Sequence, residues 1–363
     1  MVNQLRNNSR LQGKWFVYQY AHARIKDSNQ VDGAYHLKDG TVCMLVTGAN
    51  GFVGKPLCAE LLRRGQSVRA SVRSGNTMDG NVEAVTVGAI DGETDWSAAL
   101  NGVDAVIHLA ARVHVMKDQA ADPLTEFLKV NLYGTSNLAQ QAASAGVKRF
   151  VYVSSVKVNG EQTTVNRPFA ESDEPDPQDP YGISKLRAEQ DLQRIAGETG
   201  LEIVIVRPPL VYGPGVKGNF IRLLAAIDRG IPLPLAGAKN VRSLVYVGNL
   251  VDALIACATH PAAAGQTYLV SDGDDVSTAM LADLIAQSLG RNSRAFNFPP
   301  GLLRAVATFL GRAEQMDRLF GSLRVNNQKI RGELGWVPPY SMEQGLRATA
   351  DWYYSLHPHR SHM

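Results

Sequence analysis

From Thr41 onward the chain alternates short, mostly apolar runs with longer stretches whose apolar positions follow a helical period. The short runs predict strands at 41–47 (TVCMLVT), 67–73 (SVRASVR), 104–110 (DAVIHLA), 149–154 (RFVYVS) and 202–207 (EIVIVR). The longer ones predict helices at 55–64, 124–145 and 181–199. Strands this rich in Val and Ile are buried on both faces, which calls for a parallel sheet covered by the intervening helices. Right-handed crossovers make that arrangement a doubly wound α/β sheet of the Rossmann type. After Pro208 the pattern changes: Pro and Gly punctuate 208–237, and shorter elements continue to a helix near 342–355. The expected organisation is a dinucleotide-type domain over 41–207 and a smaller C-terminal α/β lobe over 208–356 that partly returns to it, followed by a tail at 357–363. Residues 1–40, rich in Asn, Gln and charge and without either period, read as an appendage, either a loose tail or an arm that clasps a partner subunit.

Composition narrows the function classes. Of the 363 residues 45% are hydrophobic and 20% charged, which excludes a disordered or collagen-like chain. A net charge of +3 with no basic stripe gives no support for nucleic-acid binding. No run approaches the roughly 18 apolar residues of a spanning helix. The first residues carry Arg6, Arg10 and Lys14 but no apolar core of a secretory signal, so a cytoplasmic location is expected. Cys43, Cys58 and Cys257 are odd in number and far apart, so neither a disulfide framework nor a metal site is expected.

The chemistry lies in three places. Thr47-Gly48-Ala49-Asn50-Gly51-Phe52-Val53-Gly54 follows the first strand and opens a helix. Glycines at 48, 51 and 54 permit a tight turn and close approach of backbone N–H groups to a pyrophosphate, so Gly48, Asn50, Gly51, Phe52, Val53 and Gly54 form a candidate dinucleotide cradle. The acidic residue expected about 20 residues on, which would bind the adenosine ribose, is replaced by Arg73. A guanidinium there can pair with a 2′-phosphate, favouring NADP(H) over NAD(H), or stack on the adenine, or lie solvated. Ser155 follows a buried strand, and Tyr181 and Lys185 share one face of the helix that begins near 181. An ammonium beside a phenol is expected to lower its pKa and hold the nicotinamide ribose, while Ser155 hydrogen-bonds the reacting oxygen.

With His108-Leu109-Ala110-Ala111 and Asn131, these features resemble the extended short-chain dehydrogenase/reductase family over about residues 42–355. Arg207 to Pro214 (RPPLVYGP) and Arg242 to Val247 (RSLVYV) are similar to its nucleotide-sugar epimerase/dehydratase branch. The resemblance implies that Ile90, Leu109, Ala110, Ala111, Asn131, Tyr181, Lys185 and Pro208 touch the cofactor, and that Asn219 and Arg242 bind the diphosphate of a UDP-sugar. It also implies a homodimer formed through helices 124–145 and 181–199.

Departures from the branch's pattern choose among reactions. Ser155 is followed by Val156-Lys157 where dehydratases carry Asp-Glu, Leu210 stands where epimerases often carry a substrate-directed Asn, and Gly88-Ala89-Ile90 lacks the Asp often found near the adenine. Ser154 to Glu161 (SSVKVNGE) with Arg207 to Phe220 looks most like bacterial enzymes that reduce a UDP-2-acetamido-2,6-dideoxy-4-hexulose at C4 for surface polysaccharide. The alternatives are a 4-epimerase and a non-catalytic dinucleotide-binding regulator. Lys157 is expected either to steer the sugar or to snorkel into solvent. His108 is expected to be a hydrogen-bonded core residue, and Glu171 to Pro177 a solvated loop or a lid on the substrate side. The stretch 302–310 (LLRAVATFL) reads as a core helix, and His357, His359 and His362 as a frayed tail.

Overall fold

The computed structural model describes residues 42–75, 82–113, 122–298, 301 and 320–357. The expected appendage 1–40, the stretch 302–310, and His359 and His362 lie outside the described residues. A seven-stranded, all-parallel sheet is built from β1 (Cys43–Thr47), β2 (Ser67–Val72), β3 (Glu83–Thr86), β4 (Ala105–His108), β5 (Arg149–Val153), β6 (Glu202–Arg207) and β9 (Thr267–Leu269), in the order β3-β2-β1-β4-β5-β6-β9. Two three-residue strands, β7 (Leu210–Tyr212) and β8 (Leu244–Tyr246), form a separate parallel pair in the C-terminal segment.

The central strands of the large sheet are buried on both faces, as their apolar runs require. Along β1, Met44 and Val46 enter one core, where they meet residues of α1 (Gly54–Arg63) and α7 (Val247–Thr259), while Leu45 enters the other. That second core is filled from α2 (Ser97–Leu100), α4 (Thr135–Ser144) and α5 (Pro180–Thr199). A third core, around Tyr212, Leu244 and Tyr246, packs α6 (Asn219–Asp228), α8 (Thr278–Ser288) and α10 (Met342–Ser355). The segment after Pro208 thus builds its own lobe and also returns β9, α7 and α9 (Gln328–Leu334) to the large sheet.

The structure divides the predicted helix 124–145. It runs as α3 (Pro123–Leu128), a π-helical turn at Lys129–Gly134, and α4. The extra residue of the wide turn goes with a fully buried Asn131 and a bare Gly134, where a Cβ would sit 2.7 Å from Ile90 Cγ2. Helix α5 begins as its sequence suggests, with the Asp179 carboxylate accepting from Gly182 N at 2.7 Å and Pro180 in the first turn, and it ends at Gly200 with φ 77°.

Candidate active site

The strand order reverses between β1 and β4, and at such a switch point the loops beyond the two strands diverge and leave a crevice. One wall is the glycine loop. A Cβ on Gly48 would lie 2.9 Å from Ala110 N, and one on Gly54 2.2 Å from Gly48 O and 2.7 Å from Ala49 Cα. Only glycine lets the turn fold onto itself and onto the Leu109-Ala110 loop. No side chain caps the N-terminus of α1, so its polar end is presented at the loop. Phe52 and Val53 pack against the C-terminal core, which brings the second lobe to the cradle. These are the features a pyrophosphate needs, and the residues fit an NAD(P) dinucleotide.

A buried polar chain fixes the facing loop. Thr47 Oγ1 accepts from Leu109 N and Ala110 N, each at 3.1 Å, so its own proton goes to His108 Nδ1 at 2.6 Å. His108 Nε2–H then donates to Thr135 Oγ1 at 3.0 Å. Burial, with the Lys185 charge adding to it, pushes this imidazole down to about 3, so it is a neutral core histidine. Asn131 differs from its expected part as a cofactor ligand. Its Oδ1 accepts from Arg112 N at 2.8 Å, and Nδ2 donates to Arg112 O and Ser184 Oγ, both at 3.0 Å. With both amide hydrogens used, it braces the chain beyond Ala111 instead.

Ser155, Tyr181 and Lys185 come together at the ends of β5 and α5. The Ser155 hydroxyl is hydrogen-bonded to the Tyr181 phenol and also accepts from Lys157 N at 3.2 Å. Lys185 Nζ donates to Val153 O at 2.9 Å and stands 4.5 Å from the centre of the Tyr152 ring, against 5.9 Å for Tyr181. The expected lowering of the phenol by this lysine is absent. Burial pushes Tyr181 up to about 12, with the Ser155 hydrogen bond opposing it, and burial pushes Lys185 down to about 7, with Glu189 opposing it.

Lys157 is half-buried and its charge is engaged within the protein. It is paired with Glu161 at 2.6 Å and with Asp179, which ties the loop after Ser155 to the cap of α5. The acidic segment is docked, since Glu171 accepts from Leu269 N at 2.8 Å. Arg73 is exposed just past β2. Ile90 packs beside Gly134, and Pro208 is buried with its carbonyl accepting from Val156 N at 3.0 Å. In the second lobe Asn219 is the exposed first residue of α6, and Arg242 donates to Gly321 O at 3.0 Å. Burial lowers the Arg242 guanidinium, and Glu161 opposes that. His357 rests on the Tyr353 ring, 4.7 Å between centroids. Among the described residues no cluster of His, Cys, Asp and Glu suits a metal, and no helix is long and apolar enough to cross a membrane.

A glycine cradle at the switch point of a parallel sheet, beside a Ser-Tyr-Lys group, defines the class as an extended short-chain dehydrogenase/reductase. The chain belongs to the NAD dependent epimerase/dehydratase family, which it matches over residues 44–271. It is 43% identical to the UDP-glucose 4-epimerase of Vibrio cholerae over 85% of this chain and 94% of that one. It is 30% identical to the 3-beta-hydroxysteroid dehydrogenase of Mycolicibacterium neoaurum over 86% of this chain and 92% of that one. Among solved structures, MoeE5 in complex with UDP-glucuronic acid and NAD is similar with a TM-score of 0.69 and 26% identity, covering 86% of this chain and 99% of that one. The protein is therefore a dinucleotide-dependent enzyme of the nucleotide-sugar epimerase/dehydratase type.

Proposed function

We propose that the protein is a C4 reductase of a UDP-4-keto-6-deoxy-N-acetylhexosamine, acting in the cytoplasm as a homodimer in surface-polysaccharide synthesis. The observation that carries this reading is Leu210, which is 46% exposed two residues beyond Pro208, at the start of β7. An apolar side chain there suits the methyl group of a 6-deoxy sugar and gives a sugar hydroxyl no hydrogen-bond partner. Leu210→Asn is expected to lower kcat/KM for the 6-deoxy ketosugar by about 10-fold or more, on the scale of one misplaced polar contact. Steady-state rates on that substrate check it.

Asn219 at the N-terminus of α6 and Arg242 across the lobe suit a diphosphate, which favours a nucleotide sugar over an uncharged steroid. When bound, NAD(P)H supplies the hydride. Tyr181 would give its proton to the C4 oxygen, and Ser155 would hold that oxygen by a hydrogen bond. Lys185 would hold the nicotinamide ribose and keep a positive charge beneath the phenol.

Arg73 supports NADP(H), because it is exposed and has no hydrogen-bond or ion-pair partner among the described residues. Arg73→Asp is expected to weaken NADPH binding about 10-fold or more while leaving NADH within a few-fold. Titration by nucleotide fluorescence decides it, and equal effects on the two would remove the 2′-phosphate argument.

A second reading, UDP-hexose 4-epimerase, is favoured by the 43% identity to the Vibrio cholerae enzyme. The two are separated by following NADPH and NADH consumption with the UDP-4-keto-6-deoxy sugar. Stoichiometric oxidation supports the reductase. Tightly retained NAD, no net consumption and interconversion of UDP-hexose epimers would establish the epimerase.

A further inference from the structure

Arg207 ends β6 and Glu189 lies one helical turn beyond Lys185 on α5, and the two form a fork-to-fork pair. Nε to Oε1 is 3.0 Å and Nη2 to Oε2 is 2.5 Å, with side-chain exposures of only 7% and 2%. A third partner closes the group: Arg207 Nη1 donates at 3.1 Å to Oδ1 of the buried Asn159, in the turn that follows Ser155. Asn159 in turn donates to Ala170 O at 3.1 Å. One guanidinium therefore binds the three pieces of chain that carry the candidate reacting groups: the Ser155 turn, the Tyr181/Lys185 helix, and the β6 end that runs into Pro208.

A buried ion pair is poor value as a stabiliser, since apolar residues of the same volume commonly serve as well. Its worth here lies in direction. Two parallel hydrogen bonds fix the rotation of α5 about its axis as well as its distance from the sheet, which an apolar contact does not. Glu189 is also the carboxylate whose charge opposes the effect of burial on Lys185. The other groups facing that ammonium are the Tyr152 ring and Val153 carbonyl of β5, His108 of β4, held neutral, and Tyr181 of its own helix.

We propose that Glu189 is a positioning residue for the reaction, held by Arg207 and Asn159 so that Lys185 and Tyr181 stand in register with Ser155. The proposal rests on the reading of Lys185 and Tyr181 as the working pair. With its carboxylate removed, the lysine faces its burial without the opposing charge, so its proton leaves at lower pH.

The test uses the full-length enzyme, with NADPH and the UDP-4-keto-6-deoxy sugar as probes. Glu189→Gln keeps the shape and removes the charge. It is expected to move the basic limb of the kcat profile down by about one pH unit, with the sugar KM unchanged. The pH dependence of NADPH affinity, read by fluorescence, should move with it. A folded variant whose limb and NADPH profile stay in place, with only its melting temperature lowered, would overturn the proposal. Should Glu189→Gln fail to fold, Arg207→Lys serves: it keeps the charge and loses the fork, and kcat should fall about 10-fold at constant sugar KM. Full kcat in that variant would equally overturn the proposal. Lys185→Met is measured alongside. If it turns over normally, the reading of the working pair has failed; if it is inactive while Glu189→Gln has an unmoved profile, only the positioning role has.

Discussion

Tyr181→Phe is expected to lower kcat by about 10²- to 10⁴-fold, the range that a positioned general acid contributes, with NADPH and sugar binding retained. The change removes one oxygen and keeps the ring, so the edge contact with Phe127, 6.0 Å between centroids, survives and the fold is not at issue. The phenol, pushed up to about 12 by burial, is protonated throughout the neutral range. It is a ready donor for a ketone reduction and must first be deprotonated to act as a base in the oxidising direction. Reduction is therefore expected to hold its rate as pH falls from 9 to 6 so far as this group is concerned, while oxidation gains with rising pH. Pre-steady-state oxidation of NADPH with the ketosugar, together with a melting curve, makes the measurement. A fully active phenylalanine variant would mean that the proton comes from elsewhere, and Ser155 would be the next donor to test.

What the sequence could disclose here was whatever is local. The glycine loop, the five apolar strands and the helix expected at 181–199 are written in neighbouring residues, and they are where the pattern puts them within a residue or two. β3 and β9 gave no comparable signal, because β3 is a largely exposed edge strand and β9 is only three residues long. The π turn was hidden for another reason. The buried bonding that goes with it, of Asn131 to Arg112 and Ser184, joins segments 19 and 53 residues away. Lys157 was legible as a charge beside the candidate site, but its tie to the cap of α5 was not, since Asp179 lies 22 residues on. Glu189 did carry a usable signal. It continues the same helical face as Tyr181 and Lys185, and an acid at that spacing in a half-buried helix needs a partner. That partner is Arg207 at the end of a buried strand, and only the fold shows that the two meet.

Lys185→Met is expected to lose about 10²-fold or more in kcat and yet to melt at a higher temperature than the natural protein at pH 7. Burial takes the folded-state pKa from 10.5 to about 7. Below pH 7 both folded and unfolded chains hold the proton, so the folded chain carries the full cost of a buried ammonium. Between about 7 and 10.5 the unfolded chain binds more protons than the folded one, and stability rises with pH through that window. The gain on removing the lysine is therefore largest at pH 7 and below, and vanishes as pH approaches 10.5. Against it stand the hydrogen bond to Val153 O and, while the lysine is charged, the cation–π contact with Tyr152, together about 1–3 kcal/mol, which narrow the difference most where the ammonium is present. Melting curves of both proteins from pH 6 to 10 provide the check, and a methionine variant equally destabilised across the range would show that the charge is not costly. This pH dependence would tie the proposed chemistry to the fold: a charge that the core disfavours, offset by Glu189 and held by a carbonyl, lies near the phenol proposed to give up its proton.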